Sequence, residues 1–127
     1  MSWAGFFAVG AGGALGCWLR WGLGIALNPL FSSILLGTLA ANLIGGYLIG
    51  IAVEFFTHQD SLPPEWRLFV IVGLLGGLTT FSSFSAEAVE LMIDREFGWT
   101  LALVAVHLIG SLAMTWLGIL SVRWLQA

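Results

Sequence analysis

The sequence carries very little charge and contains no lysine. Only 9% of its 127 residues are charged, and its four basic residues are all arginines. A soluble domain carries roughly 25% charged residues, so this chain has too few to cover a surface that faces water. The composition therefore excludes a soluble globular domain. The net charge of −3 also gives no basic surface for a nucleic-acid partner.

Cysteine is almost absent, and so are the patterns typical of catalysis. The single cysteine, Cys17, excludes a disulfide framework within the chain. The sequence has no phosphate-binding loop, no paired carboxylates in a polar segment and no supported Ser-His-Asp set. His107 has no second histidine or cysteine near it, which makes a transition-metal site improbable. The sequence therefore predicts a protein that is not an enzyme.

Long apolar runs dominate the chain instead. Hydrophobic residues make up 59% of it, and a helix needs about 20 apolar residues to cross a bilayer. Turn signals such as Asn28-Pro29 and Pro63-Pro64 separate four runs, at about 3–27, 33–56, 66–93 and 98–125. The first run exceeds the length of a signal peptide, so we expect it to be retained. We predict one all-α transmembrane domain over residues 1–127, with four membrane helices per subunit.

Pairs of small residues recur at helical spacing within these runs. Glycines lie four residues apart at 12 and 16, at 46 and 50, and at 73 and 77. Such faces allow helix backbones to approach closely in lipid. The pattern fits helix packing within one chain or an interface between subunits.

The third run is interrupted by the segment 76–85, Gly-Gly-Leu-Thr-Thr-Phe-Ser-Ser-Phe-Ser. Two adjacent glycines and two β-branched threonines disfavour a regular helix. Inside a bilayer, non-helical backbone is tolerated only where protein buries it or where it lines a cavity. We therefore predict a broken third helix near residues 76–80, beside a permeation or binding path.

Phe81 and Phe84 follow this break at a spacing that places both rings on one helix face. The edge of a benzene ring is positive, so it can meet a small anion without a formal charge that would trap it. Hydroxyls of Thr80 and Ser83 could replace part of the hydration shell, and conduction requires several sites of moderate affinity. Without other information, such a phenylalanine pair also fits simple packing.

Other polar side chains lie within the predicted spans. The Asn42 amide could donate to an anion or form a hydrogen bond between helices, because an amide at this depth needs partners. Ser111 and Thr115 share a helix face with His107 and could continue a hydrophilic track. Serine and threonine also commonly bond back to their own helix.

Two charged side chains in the spans have several possible roles. Arg20 could raise the anion concentration in an aqueous vestibule or anchor the first helix at the interface. Glu87 could line a vestibule, form a structural hydrogen bond or couple transport to protons.

The four arginines are balanced across the predicted topology. Arg67 and Arg123 lie on the side that holds the N-terminus, and Arg20 and Arg95 lie toward the other side. An excess of Lys and Arg in cytoplasmic loops normally orients a membrane protein, and this chain has no such excess. We therefore expect insertion in both orientations and a pair of oppositely oriented copies.

Four segments together closely resemble the CrcB, or Fluc, family of fluoride channels. They are Leu-Arg-Trp at 19–21, Gly-Thr-Leu-Ala-Ala-Asn-Leu at 37–43, the segment 76–85, and Gly-Ser-Leu-Ala-Met-Thr at 110–115. The resemblance covers nearly the whole chain. It implies an antiparallel, dual-topology homodimer with two fluoride pores that protects a microbial cytoplasm.

The resemblance also implies roles for single residues. Asn42, Phe81 and Phe84 match the family's pore asparagine and its two ring-edge phenylalanines, while Ser111 and Thr115 match hydroxyls of its polar track. The backbone carbonyls of Gly76 and Thr79 match those that hold a structural Na⁺ at the dimer centre, where two copies would offer four oxygens. Ser83 stands where threonine is common, and Leu103 stands where some relatives carry tyrosine on the pore side.

We therefore predict a passive, fluoride-selective channel in a prokaryotic inner membrane that exports fluoride from the cytoplasm. One alternative is a dual-topology, proton-coupled exporter of small organic cations, with Glu87 as the coupling carboxylate. A second alternative is a structural membrane subunit without transport.

Overall fold

The structure, a computed structural model, describes all 127 residues and is built from helices without any β-strand. The main helices are α1 (Trp3–Leu27), α2 (Leu36–Thr57), α5 (Phe81–Ile93) and α6 (Phe97–Gln126). Between α2 and α5 the chain forms a short helix α3 (Pro64–Arg67), a π-helical segment (Leu68–Leu75) and a short helix α4 (Gly76–Leu78). A 3₁₀ turn, Asn28–Leu30, follows α1.

Three helical stretches are long and apolar enough to cross a membrane. They are Leu36–Thr57, Pro64–Ile93 and Phe97–Gln126, with 22, 30 and 30 residues. They correspond to the second, third and fourth predicted runs, and they indicate a multi-pass membrane protein. Helix α1 has 25 residues but is not among them, because its glycines, its tryptophans and Arg20 lower its mean hydropathy.

Helix α1 packs against the third span through small residues. A Cβ atom on Gly16 would overlap the carbonyl oxygen of Leu74, and one on Gly12 would overlap that of Phe69. The glycine pair at 12 and 16 therefore faces the pair at 73 and 77 inside one chain. Of the two predicted uses of these small faces, packing within the chain is the one observed.

Helices α2 and α6 form a second close contact of the same kind. A Cβ atom on Gly50 would overlap the carbonyl oxygen of Thr115, and one on Gly118 would overlap that of Tyr47. This approach brings the backbone of α2 against the turns of α6 that carry Ser111 and Thr115.

The third span is interrupted at Thr79 and Thr80. Both residues have extended backbone, with φ −87° and ψ 155° at Thr79 and φ −151° and ψ 122° at Thr80. The interruption falls within the predicted range 76–80, but Gly76 and Gly77 stay helical. Gly77 instead serves close packing against α1, since a Cβ there would lie 2.6 Å from Gly13 O.

Candidate functional site

A groove of about 440 Å³ runs between α2, the helix break, α5 and α6. Sixteen residues line it, and none of them is Asp, Glu, Lys or Arg. Most of the predicted site residues are among them: Asn42, Gly76, Thr79, Thr80, Phe81, Phe84, Ser111 and Thr115. Three predicted residues lie elsewhere, namely Arg20, Ser83 and Glu87.

The Asn42 side chain pairs with the backbone of Thr80 at the break. Asn42 Nδ2 donates to Thr80 O over 2.9 Å, and Thr80 N donates to Asn42 Oδ1 over 2.8 Å. The amide thereby pairs with the N–H and the C=O of Thr80, which lies outside the helices. Unpaired backbone groups would be costly inside a membrane. Of the two roles considered for Asn42, the hydrogen bond between helices is present.

The second hydrogen of the Asn42 amide points to His107. The distance from Asn42 Nδ2 to His107 Nδ1 is 3.1 Å, so both amide hydrogens are engaged within the chain. His107 lines the groove but is only 4% exposed. The sequence placed His107 on the polar face of α6, but nothing in it could name Asn42 as its partner.

Phe81 and Phe84 form an edge-to-face pair along the groove. Their ring centroids lie 5.6 Å apart, with 63° between the ring planes. Phe81 is 78% exposed in the single chain. Phe84 also lies against the His107 ring, with centroids 4.7 Å apart and 32° between the planes.

The two hydroxyls of α6 differ in their bonding. Thr115 Oγ1 lies 2.9 Å from Gly46 O of α2 and 3.0 Å from Ser111 O of its own helix, and its one hydrogen can be donated to either carbonyl. The predicted bond back to its own helix is therefore present beside a contact between helices. The Ser111 hydroxyl has no hydrogen bond within the chain, and so it is the free hydroxyl of the groove.

Ser83 does not line the groove of the single chain, and its role as a pore hydroxyl stays a prediction. The Thr80 hydroxyl oxygen accepts from Ser83 N over 3.1 Å and lies 3.1 Å from Ser83 Oγ. Thr80 is therefore the N-cap of α5, and Ser83 is its partner. Threonine is one of the preferred N-cap residues, so the sequence alone could have suggested this role for Thr80.

Arg20 lies in a different cleft from the phenylalanine pair. Its Nε donates to Gly77 O over 3.0 Å, and its cleft of about 490 Å³ is also lined by Asn28 and Thr38. This hydrogen bond links α1 to the Gly77 carbonyl, which lies next to the helix break. Neither of the roles considered from the sequence, vestibule or interfacial anchor, anticipated this hydrogen bond.

Glu87 is buried and anchors the beginning of α2. Its Oε1 accepts from Leu35 N over 2.6 Å, and the residue is 6% exposed. Asn28 Oδ1 accepts from Gly37 N over 2.7 Å at the same helix end. Of the three roles considered for Glu87, the structural hydrogen bond is present, and the carboxylate stays outside the groove.

The comparison with known proteins identifies the family of this chain. The sequence profile described as CrcB-like protein, Camphor Resistance (CrcB), matches residues 7–119. The chain belongs to the CrcB-like family. A protein of Nitrosospira multiformis named "Fluoride-specific ion channel FluC" is 62% identical over 93% of this chain and 92% of its own length.

Further relatives carry the same name. The protein of Burkholderia cenocepacia is 56% identical over 94% of both chains. The protein of Pseudomonas aeruginosa is 51% identical over 97% of both chains. These CrcB-like relatives therefore match the whole transmembrane region, including α1.

The carbonyls that the family resemblance assigns to sodium are free for such a role. The Thr80 N–H would pair with Gly76 O in a continuous helix but donates to Asn42 instead, and Thr79 O accepts no hydrogen bond in the chain. The Thr79 hydroxyl bonds back to Leu75 O over 2.8 Å. Carbonyl oxygens suit a hard cation, and no cluster of three or more His, Cys, Asp or Glu offers a different metal site.

Leu103 is the position that the family resemblance compares with a tyrosine on the pore side. It is fully buried beside Ile34 and Ala88 and does not line the groove. The polar track of this chain therefore does not extend to that turn of α6.

The hydrogen bond of Glu87 predicts the effect of its removal. Glu87→Gln keeps an oxygen that accepts from Leu35 N, whereas Glu87→Leu leaves this buried N–H unsatisfied. We expect Glu87→Leu to lower the free energy of unfolding by about 1–3 kcal/mol and Glu87→Gln to change it much less. Thermal unfolding of the purified protein in detergent measures both. Equal losses in the two variants would contradict the structural role.

Proposed function

We propose that this chain is a passive, fluoride-selective channel that exports fluoride and so reduces its toxicity. The observation that carries the proposal is the groove itself, which combines two phenylalanine rings, a free hydroxyl and a broken helix without any charged side chain. The names of the similar CrcB-like proteins support fluoride as the ion.

Fluoride is small and strongly hydrated, so its path must replace water without binding too tightly. The positive edges of Phe81 and Phe84 and the free hydroxyl of Ser111 supply several weak sites along one groove. A fixed arginine or lysine would hold the anion, and a carboxylate would repel it. Asn42 contributes by fixing Thr80 and the rings beside it, since both of its amide hydrogens are already engaged.

The proton-coupled exporter of organic cations is not favoured. Its coupling carboxylate would have to face the transported cation, but Glu87 lies outside the groove and holds Leu35 N. No other carboxylate lines the groove. A passive pathway for an anion requires none.

We further propose that the working unit is an antiparallel homodimer of subunits with four membrane helices. Phe81 is 78% exposed in the single chain, and a ring edge can line a closed path only if a second copy covers it. Helix α1, although less apolar, is long enough to cross the membrane with 25 residues. The balanced arginines allow both orientations, and we expect the dimer in a prokaryotic inner membrane.

A structural sodium ion at the dimer centre completes the proposal. Gly76 and Thr79 would offer it their carbonyl oxygens from each copy, and the ion would supply a fixed positive charge that holds the two breaks together. The freed Thr79 carbonyl supports this assignment.

Replacing either ring of the groove tests the proposed path. Phe81→Ile and Phe84→Ile keep much of the apolar volume but remove the positive ring edge. We expect fluoride efflux from proteoliposomes to fall about five- to tenfold or more, because one aromatic edge contributes roughly 1 kcal/mol. A fluoride electrode follows the efflux, which should depend on a potassium ionophore because the transport is electrogenic.

Phe6→Ile is the matched control. Phe6 is 55% exposed on α1 and does not line the groove, so its replacement should leave the efflux unchanged. Wild-type efflux in both groove variants would disprove the role of the ring edges. Absence of fluoride efflux in the wild-type protein would favour a structural subunit without transport.

The sodium proposal predicts that Na⁺ stabilises the assembled dimer and does not drive fluoride transport. Replacing Na⁺ with a large organic cation should lower the thermal stability of the dimer, since a ligand that binds only the folded form stabilises it. Thr79→Ala should keep this sodium effect, because the backbone oxygen remains. A sodium gradient that drives fluoride accumulation would identify a symporter instead.

The proposed dual topology predicts the behaviour of biased variants. Two or three lysines added beside Arg123 should fix one orientation, and the same addition beside Arg95 should fix the other. Each variant alone should fail to protect cells from fluoride, and co-expression should restore protection. A single biased variant that protects as well as the wild type would exclude the antiparallel dimer.

A further inference from the structure

We propose that His107 is a positioning residue of the fluoride path. In its neutral form with the proton on Nε2, it accepts the second amide hydrogen of Asn42 and supports the ring of Phe84. This inference rests on the proposed function, because it assigns His107 a role in holding two groups of the proposed path. His107 itself need not contact the ion.

The backbone of Thr80 determines the orientation of the Asn42 amide. Thr80 N can only donate and lies 2.8 Å from Asn42 Oδ1, while Thr80 O can only accept and lies 2.9 Å from Asn42 Nδ2. A flipped amide would place two donors together and two acceptors together. The atom that faces His107 is therefore an NH₂ group.

The orientation of the amide in turn determines the tautomer of His107. Nδ1 lies 3.1 Å from the Asn42 NH₂ group and must accept, so the ring proton is on Nε2. Nε2 is buried and has no hydrogen-bond partner, so no other group in the chain favours the opposite tautomer. The contact with Asn42 is thus the only hydrogen bond of this ring.

The same ring also supports Phe84. The centroids of the two rings lie 4.7 Å apart with 32° between their planes, so His107 packs against Phe84 in a tilted stack. Phe81 contacts Phe84 in an edge-to-face arrangement. Phe84, which lines the groove, is thus held between two rings, and its position decides whether its positive edge can meet an anion.

Loss of the acceptor would leave one amide hydrogen of the half-buried Asn42 without a partner in the chain. Asn42 would then have to turn toward another acceptor and would lose its pairing with Thr80. The non-helical backbone at the break would then shift, and the rings next to it would shift with it. If His107 only filled space, its replacement by another side chain of similar size would have no such effect.

Three substitutions separate the acceptor from the ring. His107→Asn can place its Oδ1 where Nδ1 lies but has no ring, His107→Phe keeps a ring without an acceptor, and His107→Leu has neither. We expect fluoride efflux from proteoliposomes to fall only about threefold for His107→Asn, which loses the ring contact with Phe84 but keeps the acceptor for Asn42. We expect a decrease of about tenfold or more for the other two, on the scale of a buried unsatisfied group.

Nitrogen NMR provides a test that does not depend on transport. In ¹⁵N-histidine-labelled protein, His58→Gln leaves His107 as the only histidine, because the sequence contains two. We expect a protonated Nε2 and an unprotonated Nδ1. A ring protonated at Nδ1 would overturn the proposal, and so would wild-type efflux in His107→Leu. If the wild-type protein passes no fluoride, the proposed function fails, while the NMR result still decides whether His107 holds Asn42.

Discussion

The pairing of one side-chain amide with one residue of extended backbone supports the rest of this structure. Thr79 and Thr80 leave the helix in the middle of a membrane span, where water cannot satisfy their polar groups. Asn42 supplies both the donor and the acceptor that Thr80 needs. Without this pair of hydrogen bonds the break would carry a large free-energy cost, and a continuous helix would be favoured.

Three helices hold the break from different sides, which makes it a fixed feature. Helix α1 contributes the Arg20 hydrogen bond to Gly77 O, α2 contributes Asn42, and α6 contributes His107 behind the amide. The close glycine contacts of α1 and α6 with their neighbours bring these side chains within reach. The result is a neutral groove whose polar groups are positioned before any ion enters, and this preorganisation lowers the cost of replacing the ion's water.

The sequence was sufficient for the helical class, the approximate spans and the interruption of the third span, because these depend on composition and local backbone preference. It also placed Phe81, Phe84 and Ser111 in one site through helical spacing and family resemblance. It could not assign the partners of Arg20 and Glu87, which lie 57 and 52 residues away along the chain. It could not reveal that Ser83 contacts the capping hydroxyl of Thr80, because hydroxyls at a helix start and hydroxyls that line a path look alike in sequence.

Fluoride efflux through Asn42→Leu tests the central claim most directly. Leucine is branched at Cγ like asparagine but can neither donate to Thr80 O nor accept from Thr80 N. If the amide holds the break and the break forms the path, purified Asn42→Leu in proteoliposomes should lose efflux by about tenfold or more, as expected for buried groups left unsatisfied. Efflux at the wild-type rate would contradict the account.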